Sequence, residues 1–260
     1  MRIKIADIIL SFGFPAENPA FLREAGERYG GFLTREKTAP DLFFSVRLKK
    51  LKKEPFRPSI TLEKNLLKIN RGDFFCEADL KKKRGALLLN PSVYSLDSFL
   101  RVLISVLLNK KNGLLVHAAA LSFKKGAWLL AGKSGSGKST LSRLAAGKAF
   151  ILSDELVPLR INKKGVTVFS SPFWGEMRGR GEAFEKNLKG LCLLKKSTEN
   201  LKTPAGEAEF AGTFLRCVMN FSKAPEISEK AVKKTAALWR LLRPQNLYFS
   251  KKDDGFLKLL

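Results

Sequence analysis

Eight residues, Gly132-Lys-Ser-Gly-Ser-Gly-Lys-Ser139, fill the pattern G-x-x-x-x-G-K-[ST], and the apolar run Ala127-Trp-Leu-Leu-Ala131 leads directly into them. Such a segment constrains a fold tightly. A buried strand must end where the glycines begin, and successive backbone N–H groups must turn inward around an anion. A helix must then start with its positive end at the same point. Thr140-Leu-Ser-Arg-Leu-Ala-Ala-Gly147 supplies that helix pattern. The chain is therefore expected to be α/β, with a nucleoside triphosphate held by Gly132, Lys133, Ser134, Gly135, Ser136, Gly137, Lys138, Ser139 and Thr140. Lys138 is placed to reach the β/γ-phosphate oxygens and Ser139 to ligate Mg²⁺. The loop alone leaves the chemistry open, because kinases, transporters, helicases and switches share it.

At 260 residues, 45% of them hydrophobic, the chain can bury one large core or two modest ones. No stretch approaches the ~18 uninterrupted apolar residues of a membrane span. The best candidate, Phe99–Leu108, is short and contains Arg101. The first ten residues alternate charged and apolar side chains and include Asp7, which reads as a strand rather than a signal peptide, so a cytoplasmic protein is expected. Cys76, Cys192 and Cys217 form no C-x-x-C pair and read as small core residues. The net charge is +24, and the basic residues fall as doublets and short clusters along the whole chain, such as Lys49-Lys50, Lys124-Lys125 and Lys195-Lys196. Without regular aromatic interleaving or a nucleic-acid module, this pattern describes a solvated, lysine-rich surface. An acidic peptide or protein partner ranks ahead of nucleic acid.

Residues 1–112 read as a β-rich lobe, with strands at Ile3–Phe12, Leu42–Leu48, Ser59–Glu63, Leu66–Asn70, Phe74–Leu80 and Ala86–Asn90. A helix capped by Ser95 follows, with Leu96, Phe99, Leu100, Leu103, Ile104 and Leu107 on its apolar face. Residues 113–260 form the nucleotide-binding part. Strands flank the Lys124-Lys-Gly126 turn, and Ala149–Leu152 follows the loop helix. Val157–Ile161 and Gly165–Ser170 make a hairpin whose Pro158 suggests a sheet edge. Gly190–Lys195 and Asn246–Ser250 are further strands, and Ala205–Phe221 and Ile227–Leu242 are helix patterns.

Asp154 and Glu155 end an apolar strand 16 residues after Lys138. So short a spacing predicts that this strand runs beside the loop strand and brings a carboxylate to Mg²⁺ and the γ-phosphate. In ABC-type ATPases, which the loop also resembles, the acidic pair lies far downstream after L-S-G-G-Q, and that signature does not occur here. His117, the single histidine, lies on the strand before the loop strand, where a core role is as natural as a chemical one. Pro172-Phe-Trp-Gly-Glu-Met-Arg-Gly-Arg-Gly181 is glycine-rich and basic with one carboxylate, Glu176.

Taken in order, the histidine, the loop, the strand-end D-[DE] and the E-[IM]-R-G-x-G segment resemble the catalytic domain of HPr kinase/phosphorylase, a fold related to ATP-dependent phosphoenolpyruvate carboxykinase. The resemblance covers about residues 113–182 and is nearest to the wider HPr-kinase-like group, some members of which are associated with peptide modification and others with small molecules. It implies an HPr-kinase-like P-loop core preceded by the β-rich lobe. It also implies Mg-ATP-dependent transfer of the γ-phosphoryl group to a hydroxyl, that of serine in an acidic or serine-containing peptide or protein. On this resemblance Lys138 polarises the γ-phosphate, Asp154 accepts the hydroxyl proton and His117 adjusts Asp154 or the substrate. Arg178 holds the transferring group, with Arg180 able to act likewise, while Ser139 and Glu176 serve the metal. Glu155, where the family has Asp, reaches one methylene farther toward it. Two other readings stand beside this one: an ATP-binding regulatory or assembly protein without turnover, and a small-molecule kinase of the free-serine type. Relatives form oligomers, which leaves a homo-oligomer open. Neither a specific nucleic acid nor a membrane span is expected.

Overall fold

A computed structural model describes residues 1–15, 18–51, 57–173, 175, 181–221 and 225–260. It is mixed α/β and divides into two compact units.

Met1–Leu107 and Asn220–Ala224 form the first unit. Its strands are β1 (Arg2–Ile5), β2 (Ile8–Gly13), β3 (Leu42–Leu48), β4 (Ser59–Glu63), β5 (Leu66–Asn70), β6 (Phe74–Asp79) and β7 (Arg84–Leu89). They make one mixed sheet in the order β1-β2-β3-β7-β6-β5-β4. Strict alternation gives the sheet its apolar face: Leu42, Phe44 and Val46 are buried along β3, whereas Phe43, Ser45 and Arg47 are exposed. Two helices accompany it, α1 (Pro19–Tyr29) and α2 (Val93–Lys110). All six apolar positions expected on α2 are buried, and the Phe99 ring stands edge-on to Phe44 and Phe74. The helix starts two residues before Ser95, whose hydroxyl donates to Asp73 Oδ2 (2.7 Å); Ser92 Oγ accepts the Tyr94 N–H instead. The single strand expected over Ile3–Phe12 is a hairpin. Ala6 and Asp7 both take positive φ (52° and 58°) and form its two-residue turn, a conformation the sequence does not advertise because neither is Gly or Asn.

The second unit comprises Leu108–Met219 and Pro225–Leu260. It contains β8 (Gly113–Phe123), β9 (Gly126–Ala131), β10 (Phe150–Ser153), β11 (Leu156–Asn162), β12 (Gly165–Phe169), β13 (Glu185–Lys196), β14 (Leu201–Pro204) and β15 (Gln245–Phe249). The helices are α3 (Lys138–Ala145), α4 (Glu207–Leu215) and α5 (Pro225–Leu242). The sheet runs β10-β8-β11-β12-β13-β15-β14, and β9 joins β8 to β13. Alternate residues of its central strands serve opposite faces. Ala118, Leu129, Ala131 and Leu193 pack with Phe210 and Phe214 of α4 and Leu238 of α5. Ala119, Leu130, Cys192 and Leu194 pack with Leu141 and Ala145 of α3.

Three expectations for this second unit are corrected. β10 does not run beside β9: both pair antiparallel with β8, which lies between them. β9 and β10 therefore run in the same direction, as do β13 and β15, each parallel to its neighbour in the series from β9. All four end at one edge of the sheet, which is where a parallel arrangement gathers its binding loops. Pro158 is not on an edge strand, since β11 lies between β8 and β12; the ladder to β12 begins only at Leu159, so the missing N–H costs it nothing. The helix expected over Ala205–Phe221 stops at Leu215, because the chain then returns to β8, with His117 N–H donating to Cys217 O (2.7 Å) and Met219 N–H to Leu115 O (2.8 Å). Among the described residues no helix is long and apolar enough to cross a membrane.

Candidate active site

The middle of β8 organises this region. Through Gly113–His117 the strand pairs with β11, and through Ala118–Phe123 with β9. At the changeover Ala118 is in register with Ala131, the last residue before the glycine loop, while its N–H donates to Glu155 O (3.1 Å). The loop and the acidic pair thus reach one point from opposite sides of the same strand. A bulge in β10, where Ile151 and Ser153 oppose Leu121 and Ala120 with Leu152 between them, bends the strand just before Asp154. His117 has the parity of Ala119, whose side chain lies on the α3 face.

Within the loop, Gly137 starts α3 at φ 102°, and a Cβ there would lie 2.5 Å from the Phe249 ring; both demands leave only glycine. Lys138 is buried. Its ammonium folds back to donate to Gly132 O (2.9 Å) and Lys133 O (3.2 Å), carbonyls of its own loop. Burial holds its pKa below the usual lysine value, against the opposing pull of the Cys217 sulfur and the Glu155 carboxylate. Cys217 lies under the loop, and burial pushes its thiol upward despite the Gly132 N–H bond and the Lys138 charge. Ser136 Oγ is buried with no hydrogen-bond partner among the described residues.

A cleft of about 450 Å³ opens above the loop. One wall is Ser134, Gly135, Gly137, Lys138, Ser139 and Thr140, and the facing wall is His117, Asp154 and Glu155. His117 Nε2 lies 3.7 Å from Glu155 Oε2, and both side chains are about one-third exposed. Asp154 is deeper, 4% exposed, with the backbone of Gly175 laid against it: a Cβ on that glycine would sit 2.6 Å from Asp154 Oδ2. Gly132, Lys133 and Ser136 complete the loop without lining the cleft. Glu176, Arg178 and Arg180 lie outside the described residues.

Gly175, from the glycine-rich segment 172–181, lines the same cleft, as does Lys251, to which no sequence motif points. Lys251 follows β15 in a turn fastened by Ser250 N–H to Asn200 Oδ1 (2.9 Å), Lys252 N–H to Ser250 Oγ (3.2 Å) and Gly255 N–H to Asp253 Oδ1 (2.7 Å). The signal for it was topological, a lysine just beyond a strand that ends at the edge where the loop strand ends.

The donor set suits a polyphosphate with a hard cation. Lys138 has two carbonyl partners in its own loop that a phosphate oxygen could replace. Ser139 and Glu155 offer oxygen ligands of the kind Mg²⁺ takes together with substrate phosphates. Among the described residues no group of three or more His, Cys, Asp or Glu side chains is disposed to hold a metal by itself. Comparison of the sequence with protein-family models and with curated proteins finds no match.

Proposed function

We propose that this chain is a Mg-ATP-dependent kinase of the HPr-kinase-like group, which transfers the γ-phosphoryl group to the hydroxyl of a serine in a peptide or protein. The observation that carries the reading is the single cleft in which the buried Lys138 faces Asp154, Glu155 and His117. Phosphoryl transfer asks for charge neutralisation on the phosphoryl oxygens and an acceptor aimed in line, more than for covalent help. Lys138 and the α3 N-terminus supply positive potential on one wall, and Lys251 adds a cation from a fastened turn. Asp154 receives the acceptor proton, and His117, beside Glu155, adjusts the charge around it. Ser139 and Glu155 would hold Mg²⁺, which when bound offsets phosphate charge.

A second reading, ATP as a structural or regulatory ligand without turnover, is favoured by one observation: the Gly175 backbone crowds the Asp154 carboxylate, where an acceptor hydroxyl has to enter. One experiment separates the two. Mg-ATP binding, and ADP formation with phosphoryl transfer to serine-containing acceptor peptides, are measured for the wild type and Asp154→Asn. Under the kinase reading Asp154→Asn keeps ATP affinity and loses turnover; turnover equal to wild type removes Asp154 as the base, and binding without any turnover in the wild type supports the regulatory reading.

A further inference from the structure

At the other end of β9 from the glycine loop lies a second cleft, of about 590 Å³. Its apolar lining is Phe123, Trp128, Leu257 and Leu260. The charged lining is three ammonium groups, Lys124 and Lys125 from the β8–β9 turn and Lys189 from β13. A fourth, Lys202, sits 4.6 Å over the Trp128 ring and donates to Leu259 O. Among the described residues no Asp or Glu side chain lines this cleft. Like charges gathered over an apolar surface repel one another, and an anion bound among them would offset that repulsion.

The aromatic floor is fixed in place. A Cβ on Gly190 would lie 2.2 Å from the Trp128 ring, so the indole lies flat on the bare backbone of β13, with Lys202 over the ring. A side chain already held in place on both faces loses little further conformational freedom when a ligand packs beside it.

We propose that this cleft docks an acidic peptide segment, with an apolar or aromatic side chain among Phe123, Leu257 and Leu260 beside the Trp128 ring and carboxylates on Lys124, Lys125 and Lys189. The cations come from two separate elements, which suits several anionic groups spaced along a chain better than a single-headed amphiphile. Among the described lining residues the polar side-chain groups are the ammonium groups and the Trp128 indole N–H, so a nucleobase would find no amide, hydroxyl, carboxylate or guanidinium to read its edge. The proposal rests on the kinase reading only in taking a peptide as the partner. It also has a consequence for substrate choice. The six residues of β9 span about 20 Å, so the phosphorylated serine lies at least about six extended residues from the docked segment.

The test is calorimetric titration of the full chain with the N-acetylated, C-amidated peptide Glu-Asp-Phe-Leu-Asp-Glu, with Mg-ATP affinity measured alongside. The wild type is expected to bind, Lys125→Glu/Lys189→Glu to bind at least about tenfold more weakly, and Lys49→Glu/Lys50→Glu, with the same change in net charge, to bind as wild type. A neutral peptide with Gln and Asn in place of the acids is expected to lose the same tenfold. All four lysines are exposed, and circular dichroism checks that each variant folds. Failure of the wild type to bind, equal weakening by the two double variants, or equal binding of the neutral peptide would overturn the proposal. So would oligothymidylate or dodecanoate binding that is lost in Lys125→Glu/Lys189→Glu while the peptide is ignored. ATP binding without peptide docking defeats this inference alone, whereas peptide docking without ATP binding defeats the kinase reading alone.

Discussion

Carboxylates are buried in both units, and the two units treat them in opposite ways. In the first, Asp97 accepts from Arg28 Nη2 (2.8 Å) and Arg101 Nε (2.7 Å), with the Tyr29 hydroxyl at 3.5 Å. Burial and the Asp97 charge drive the Tyr29 phenol well above its ordinary pKa. Asp73 is gripped by Arg71 through two bonds and by the Ser95 hydroxyl. In the second unit Asp154 and Glu155 line an open cleft opposite Lys138, whose ammonium leans on carbonyls of its own loop. Guanidinium-paired carboxylates tie α2 to its surroundings, and their charge is matched in place. Charges ranged around a cavity are available to a ligand. Burial alone therefore does not mark a functional acid; what the acid faces does.

The widest gap between the two kinds of site is expected in turnover. Asp154→Asn should lower phosphoryl transfer from Mg-ATP to a serine-containing acceptor peptide by about 10²–10⁴-fold while leaving ATP affinity near wild type. A fall in affinity of the same size would place Asp154 with the binding groups. Next comes Asp97→Ala, which leaves Arg28 and Arg101 without their shared acceptor and should cost about 3–5 kcal/mol in urea unfolding. If ATP affinity dropped with it under folding conditions, the contrast between structural and ligand-facing carboxylates would not hold. Lys251→Met should weaken Mg-ATP about tenfold at low salt, and less at high salt, because the side chain is exposed. Unchanged affinity would make Lys251 a bystander.

The smallest effect is a pH dependence at Asp73. Burial alone would raise this carboxyl, but the Arg71 and Ser95 hydrogen bonds outweigh it and hold the pKa below 3.8. The unfolded state then binds the proton more tightly, so the stabilisation is present above pH 3.8 and fades as pH falls through the lower native value. The stability difference between wild type and Asp73→Asn should shrink on that descent. A constant difference would deny Asp73 its role as a paired carboxylate.

Much of this architecture is readable wherever the determinant is local. Alternation along β3 and the 3.6-residue spacing of Leu96 to Leu107 announce their elements, because burial on one face is the dominant force there. The loop and the acidic pair are legible for the same reason, being contiguous. Misreadings arise where a partner far along the chain decides the outcome. The place of β10 depends on β8 entering between it and β9, and the end of α4 depends on residues 217–219 bonding back to β8. α1 and β14 went unassigned, although Phe21, Ala25 and Tyr29 keep helical spacing and are buried. Lys251 joins the cleft through topology alone and no local pattern around it points there, whereas Gly175 lies in the glycine-rich segment beside Glu176 that the sequence does single out.

The central claim is that the cleft over the glycine loop holds a nucleoside triphosphate through Lys138. It is tested most directly by calorimetric titration of Mg-ATP into the wild type and Lys138→Met, with unfolding curves confirming that both are folded. Saturable one-site binding to the wild type, weakened about a hundredfold in Lys138→Met, is the predicted result. Equal affinity in the two proteins, or no binding to the wild type, would contradict it.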